Sequence, residues 1–383
     1  MEEGIAAVLR QWWPSKPVLL CSSLVCYFCA SKVFLFAPTL LHKRKPYRGK
    51  RFDTVLIGHR GSRLEGLPEN SAVAFSHAKE HGAQTIEFDV WLTKDDQVVV
   101  FHDGDLQRMT GCAGHVTELR LAELPPLFWP AKSDGSYLGP RNKQKIPTLT
   151  EALDATPVGT PIIIEFKMDS QLLVDEVLRA VRARGRGADL VWFSMQPGTN
   201  RRLGRSAPSV PRVTSVPDML RLLLLYYAGL LPFVGIEHEI FGVPMDKVDY
   251  ERIRDQKSLK GLPDWVCRML AVLFSGTPPK LMIPSGMMKH LRKRGMPVWF
   301  LGVNSPADAA AALAAGATGL LSDRPAALAP HLRALGLLPP PPRAGEGAAA
   351  AAEWTTPLRV HYADGGGGAG GGGDGGGSGA PAA

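Results

Sequence analysis

From Asp53 to about Leu335 short apolar runs alternate with stretches whose apolar residues recur at helical spacing. The runs at 54–58, 84–90, 97–101, 161–166, 189–194, 211–215, 296–301 and 318–322 read as strands. Several are nearly continuous in Val, Ile and Leu, the pattern of parallel strands buried on both faces. Ser71 to His81, with Ala72, Phe75 and Ala78 near helical spacing, reads as the first helix of the repeat. Eight strands alternating with helices over such a length predict an α/β fold, the (β/α)8 TIM barrel, for which ~250 residues is typical.

The pattern changes at both ends and once in the middle. Val18 to Leu41 is almost wholly apolar, with Lys32 its one charge. That is long enough to cross a bilayer, which takes roughly 20 such residues, and no small-residue cleavage site follows it. The segment therefore reads as an uncleaved membrane anchor, with Trp12 and Trp13 suited to the far interface. Six Lys or Arg fall within residues 43–51, a bias that places the barrel on the cytosolic side of an endomembrane such as the endoplasmic reticulum. Residues 219–279 hold more chain than a barrel needs. Their two apolar stretches, Leu222–Phe233 and Trp265–Phe274, are short for a span and read as an apolar helical insert, a lid or interfacial pair. After Leu338 come four prolines, an alanine run and a glycine-rich tail, read as disordered. The expected organisation is an anchor with basic flank at 1–52, the barrel at 53–338 and the tail at 339–383.

Much of the net charge of +8 is concentrated beside the apolar N-terminal segment and suggests an anionic surface, membrane or nucleic acid; with the anchor next to it the expected partner is the bilayer, with no nucleic acid. Five cysteines, three of them in that segment, form no disulfide framework.

Chemistry collects at the strand ends. Val55-Leu56-Ile57 stops at Gly58-His59-Arg60-Gly61, and Val98-Val99-Val100-Phe101 runs into His102-Asp103. Glu87 and Asp89 stand two apart on one strand and share a face; Glu165 and Lys167 do the same on another. Convergent Glu87, Asp89 and Glu165 make three oxygen ligands, a set for Mg2+ or Ca2+, since zinc takes more His or Cys. Arg60 and Lys167 read either as partners of these carboxylates or as groups for a bound anion.

The ordered set His59-Arg60-Gly61, Pro68-Glu69-Asn70-Ser71, Glu87-Phe88-Asp89, Leu92-Thr93-Lys94-Asp95, Val99–Asp103, Ile146–Leu149, Glu165-Phe166-Lys167, Gly316–Gly319 and Ser322–Pro325 resembles the glycerophosphodiester phosphodiesterase domain over about 53–335. The anchor and Tyr226–Phe233 further resemble its membrane-bound lysophospholipase D branch. The resemblance implies a metal-dependent phosphodiesterase with His59 and His102 as general base and acid, His102 being an alternative metal ligand. Arg60 and Lys167 would then bind the phosphate. The family has a tryptophan three residues before its equivalent of Asn304, where this chain has Leu301; Trp299 is the expected replacement for that pocket wall. Implied substrates are lysophospholipids or soluble glycerophosphodiesters, and the remaining class is a membrane-bound interaction module without turnover.

Overall fold

The computed structural model describes residues 16–43, 54–128, 144–245, 254, 261, 263–274 and 284–340. Trp12, Trp13, most of the basic stretch 43–51 and the tail beyond Pro340 lie outside the described residues.

The apolar N-terminal segment is helix α1, Lys16–Phe36. Strand β1 (Leu56–Gly58) leads to α2 (Ala72–Glu80), β2 (Thr85–Leu92) and β3 (Val98–Val100). A single turn α3 (Gln107–Thr110) and α4 (Leu149–Asp154) precede β4 (Ile162–Phe166). The chain continues through α5 (Gln171–Ala183), β5 (Leu190–Phe193), α6 (Pro197–Ser206), α7 (Val216–Tyr227) and β6 (Phe241–Pro244). It ends with α8 (Asp264–Phe274), α9 (Ser285–Lys293), β7 (Val298–Leu301), α10 (Pro306–Ala315), β8 (Gly319–Ser322) and α11 (Pro325–Ala334). Side-chain caps set several helix starts: Ser71, Ser170, Ser215 and Ser305 each accept an N–H of the first turn, and Thr148 and Glu151 form a capping box. In α2 the buried residues are Ala74, Phe75 and Ala78, while Ala72 is exposed.

The parallel strands run in the order β5-β4-β2-β1-β8-β7-β6. Between β5 and β6 the ring is completed by Arg212 and Val213, which bridge Trp192 on one side and Ile240 on the other. Backbone bonds Val213 N to Trp192 O (2.9 Å) and Thr214 N to Ile240 O (3.0 Å) join these edges. The fold is the expected α/β barrel, with two strand assignments corrected. Residues 97–101 are not a barrel strand: β3 pairs antiparallel with β2 and sits over a separate core with Trp91, Phe101, Leu106 and Met109. In the ring β2 pairs directly with β4, and the strand not expected is β6 beside β7, inside the span read as an insert. Gly242 and Pro244 within β6 mask it as a strand by residue preference. Likewise α7 is the helix linking the Arg212–Val213 position to β6, so residues 219–245 belong to the barrel.

Alternation along the strands separates two cores. Leu56, Ile162, Ile164, Trp192, Phe300 and Leu320 face the helices, and Ile57, Ile163, Val191, Phe193, Trp299 and Leu321 fill the barrel interior. By the same rule Glu87 and Asp89, alternating with Ile86, Phe88 and Val90 of the outer core, point inward.

Candidate active site

The site is built at the carboxyl ends of the strands, where barrels carry their chemistry. Register places Asp89 of β2 directly beside Glu165 of β4. Glu87, one inward position below Asp89, completes a group whose ligand atoms all lie within 4.8 Å of one another. His102 stands outside this group. Antiparallel β3 brings it alongside: Phe101 N donates to Asp89 O at 3.0 Å, and the next residue is His102.

The turn after β1 is shaped by close packing. A side chain at Gly58 would place its Cβ 2.6 Å from Gly61 O, and one at Gly61 would meet the Ala74 backbone at 2.6 Å. Gly61 has φ +81°, and Arg60 itself is left-handed at φ 49°, which costs a non-glycine residue roughly 1–2 kcal/mol. That conformation is held by Arg60 N donating to Glu87 Oε2 (2.9 Å) and Asn70 N donating to Arg60 O (3.0 Å). The Arg60 guanidinium then reaches Glu69 Oε1 at 2.9 Å and Asp89 Oδ2 at 3.4 Å. Asn70 Nδ2 donates to Asp89 Oδ2 (2.9 Å), and Lys167 Nζ lies 2.9 Å from both Asp89 Oδ1 and Glu165 Oε2.

Each histidine is held by its own carboxylate. His59 Nδ1 lies 2.6 Å from Asp323 Oδ1, and His102 Nδ1 lies 2.6 Å from Asp103 Oδ1. Asp323 is gripped in turn by Arg63 (Nε 2.7 Å, Nη2 3.0 Å) and by Asn304 Nδ2 (2.8 Å). Asp103 is held by Arg108 Nε at 2.5 Å, and Arg108 also reaches Glu69 at 2.5 Å. With Nδ1–H committed to a carboxylate, each imidazole has Nε2 as its reactive nitrogen; that of His59 is 3.8 Å from Glu87 Oε2. Burial lowers both histidine pKa values, aided by Arg60 at His59 and Lys167 at His102, while Asp323 and Asp103 oppose the shift.

Three buried carboxylates cannot all ionise at ordinary pH without compensation. Burial, then the charges of Asp89 and Glu165, raises Glu87 well above the ordinary carboxylate value; burial and Asp89 raise Glu165. Burial would raise Asp89 too, but Lys167, His102 and Arg60 together hold it far below that range. One oxygen of the group is open: Glu87 Oε1 is buried without a hydrogen-bond partner, whereas Asp89 Oδ1 is ion-paired with Lys167 at 2.9 Å. Three buried carboxylates at this spacing, one with an unpartnered oxygen, fit a hard divalent cation. Binding one requires the carboxylates to be deprotonated, so affinity should fall as pH drops below the raised Glu87 value. Isothermal titration of Mg2+ in buffers of different ionisation enthalpy should show protons released on binding. Affinity independent of pH down to the ordinary value of 4.5 would exclude this ligand set. Stability of the metal-free protein runs the other way at Glu87: its raised value costs stability as pH rises above 4.5. The depressed Asp323 contributes stability present above 3.8 and lost as pH falls through its own lower value.

Of the residues singled out from sequence, His59, Arg60, Glu87, Asp89, His102, Glu165 and Lys167 come together here. Trp299 does not line an open pocket. It is 1 % exposed in the barrel interior, opposite Gly242 and Gly319 in the flanking strands. A Cβ at Gly319 would lie 2.5 Å from its indole, so that glycine makes room for a packing residue; Leu301 lies one inward position nearer the mouth. Sequence reasoning assigned no role to Glu69, Asn70, Asp103, Arg108, Asn304 or Asp323. Asp323 carried a signal, since it is the residue immediately after a barrel strand.

The sequence profile of the glycerophosphoryl diester phosphodiesterase family matches residues 59–327. Human lysophospholipase D GDPD1 is 33% identical over 321 residues, covering 81% of this chain and 95% of its own length. Mouse lysophospholipase D GDPD3 is 29% identical over 312 residues, 80% of this chain and 89% of its own. Among solved structures, the glycerophosphoryl diester phosphodiesterase domain of a Mycobacterium tuberculosis protein superposes with TM-score 0.56 at 18% identity, covering 72% of this chain and 98% of that one. An Agrobacterium tumefaciens glycerophosphodiester phosphodiesterase gives 0.52 at 20%, covering 73% and 99%. Barrel, acidic cluster and sequence agree: the chain is a hydrolase belonging to the glycerophosphodiester phosphodiesterase family.

Proposed function

We propose that this enzyme hydrolyses lysophospholipids in the manner of a lysophospholipase D, releasing the head-group alcohol and leaving lysophosphatidic acid. The observation that carries the reaction is the Glu87, Asp89 and Glu165 cluster flanked by two histidines, each fixed by a carboxylate. The lipid substrate is supported by α1, apolar and long enough to span a bilayer, and by the names of the relatives above.

Glu87, Asp89 and Glu165 would hold a divalent cation, Mg2+ or Ca2+, which when bound supplies Lewis-acid charge to the phosphoryl group. Arg60 and Lys167 add fixed positive charge where negative charge builds at phosphorus. His59 Nε2 takes the proton of the free secondary hydroxyl of the glycerol, whose oxygen attacks phosphorus. The bond from phosphorus to the head-group oxygen breaks, and His102 protonates that oxygen. The product is a cyclic phosphate and a free alcohol. Water then opens the ring with the roles exchanged: His102 accepts the water proton, and His59 returns its proton to the glycerol oxygen. A diacyl lipid, lacking the free hydroxyl, is not a substrate for this route.

The deciding experiment compares lysophosphatidylcholine with glycerophosphocholine on purified full-length protein, with and without EDTA. Preferred choline release from the lysolipid, abolished by EDTA and restored by Mg2+ or Ca2+, is the expected result. Preferred release of glycerol 3-phosphate from glycerophosphocholine would replace the lipid reading with a soluble one. No turnover of either would leave an interaction module. In sealed microsomes the cytosolic orientation predicts activity on added glycerophosphocholine without detergent.

A further inference from the structure

We infer that the barrel is sunk into the leaflet beside it, with Leu224, Leu230 and Phe233 against acyl chains next to the second half of α1. This rests on the reading of α1 as a membrane span and adds to it a seat for the barrel. The geometry lies in where α1 meets the rest of the chain. The Tyr27 hydroxyl donates to Ala228 O, and Ser31 Oγ donates to Gly229 O at 2.7 Å. The rings of Tyr27 and Phe34 lie 6.4 and 5.8 Å from that of Phe233. At the end of the helix, His290 Nδ1 is 2.9 Å from Leu35 O, and Lys293 Nζ donates to Phe36 O at 2.9 Å. The docked stretch Tyr27–Phe36 rises roughly 13 Å at about 1.5 Å per residue. That is close to half of a hydrocarbon core of about 30 Å. The exposed stretch before it, from Val18 to Cys26, covers a similar distance. With 18–36 as the span, one leaflet holds α1 alone and the other holds α1 together with the barrel residues touching it.

The contact is made as such a depth requires. Residues 228–230 form a turn that leads into a single 3-10 turn, Leu231–Phe233, and hydrocarbon tolerates such backbone only where its polar groups are satisfied within the protein. Ala228, Gly229 and Pro232 each have their carbonyl engaged from the N-terminal segment, the last by His42 Nε2 at 2.8 Å. The side chains left facing outward are mainly apolar or aromatic: Leu224 is 70 % exposed, Tyr227 52 %, Leu230 42 % and Phe233 41 %. Val33 and Phe36 add exposed apolar surface on α1, and Lys32, also exposed there, is long enough to carry its charge toward the head groups. Exposed apolar side chains gathered around one contact mark an interaction surface, and the six Lys or Arg within 43–51 suit the head groups of an anionic leaflet.

Depth quenching tests the seat. In full-length protein with Cys21, Cys26, Cys29 and Cys112 replaced by alanine, single cysteines are introduced as Leu24→Cys, Leu230→Cys, Phe233→Cys or Val158→Cys. Each is labelled with bimane and reconstituted into phosphatidylcholine vesicles with or without bromine on the acyl chains. Thermal unfolding midpoints matching the parent verify folding. Bromolipid should remove most of the emission at positions 24, 230 and 233 and leave that at 158, an exposed site remote from the patch in sequence, unchanged. Quenching at 24 alone would overturn the seat and leave the span. No quenching anywhere would overturn both, and equal quenching at 158 would overturn a localised seat.

Discussion

Glu87→Gln or Asp89→Asn should lower kcat/KM by about 10³-fold, while far-ultraviolet circular dichroism stays native. Each change removes one charge from the cation-binding group, and electrostatic stabilisation at a transferring phosphoryl group is worth several kcal/mol, with about 1.4 kcal/mol per factor of ten. The two variants should differ in stability. Asp89 is surrounded by Lys167, Arg60 and Asn70, so neutralising it leaves buried cations under-compensated and should destabilise. Glu87 is the carboxylate that burial and its neighbours disfavour as an anion, so Glu87→Gln should leave the metal-free protein equally or more stable. Calorimetric melting checks the contrast, and activity in metal-limited buffer checks the loss. Wild-type turnover by either variant would remove the cluster from the mechanism.

His59→Ala and His102→Ala should each cost roughly 10²–10⁴-fold in kcat/KM, the usual worth of a positioned acid or base. The carboxylates behind them predict a graded series. Asp323→Asn keeps the shape of the His59 site but removes the charge that favours imidazolium there, so the acidic limb of the kcat/KM profile should move to lower pH. The sign follows because Asp323 raises the His59 pKa against burial and Arg60. A profile unmoved by Asp323→Asn, with His59→Ala fully active, would assign His59 a structural role.

Much of this site was legible because its signals are local. Glu87 with Asp89, and Glu165 with Lys167, are two-residue spacings that a strand turns into one face without help from the rest of the fold. The partners of the histidines are set by the barrel instead: Asp323 is 264 positions from His59, and no periodicity links them. Strand β6 stayed hidden because Gly242 and Pro244 speak against a strand, whereas the fold needs that glycine: a Cβ there would lie 2.8 Å from Val213. Residues 97–101 have the composition of a barrel strand, yet pair antiparallel at the edge of β2. Trp299 shows the same limit. Alternation gives the face correctly, inward with Leu301, but depth depends on which residues flank it, and Gly319 at its level lets the indole fill the interior. Helix α7 has an apolar surface beyond what a barrel needs, and its meaning appears only where α1 packs beside it.

The most direct test of the account is the fate of a lysophosphatidylcholine analogue lacking the secondary hydroxyl of glycerol. Purified native enzyme with Mg2+ should release choline from lysophosphatidylcholine, with a transient cyclic phosphate in phosphorus NMR, and EDTA should stop it. The analogue should bind as a competitive inhibitor and yield no choline. Release of choline from the analogue at the rate of the parent lipid would contradict attack by the substrate hydroxyl at this site.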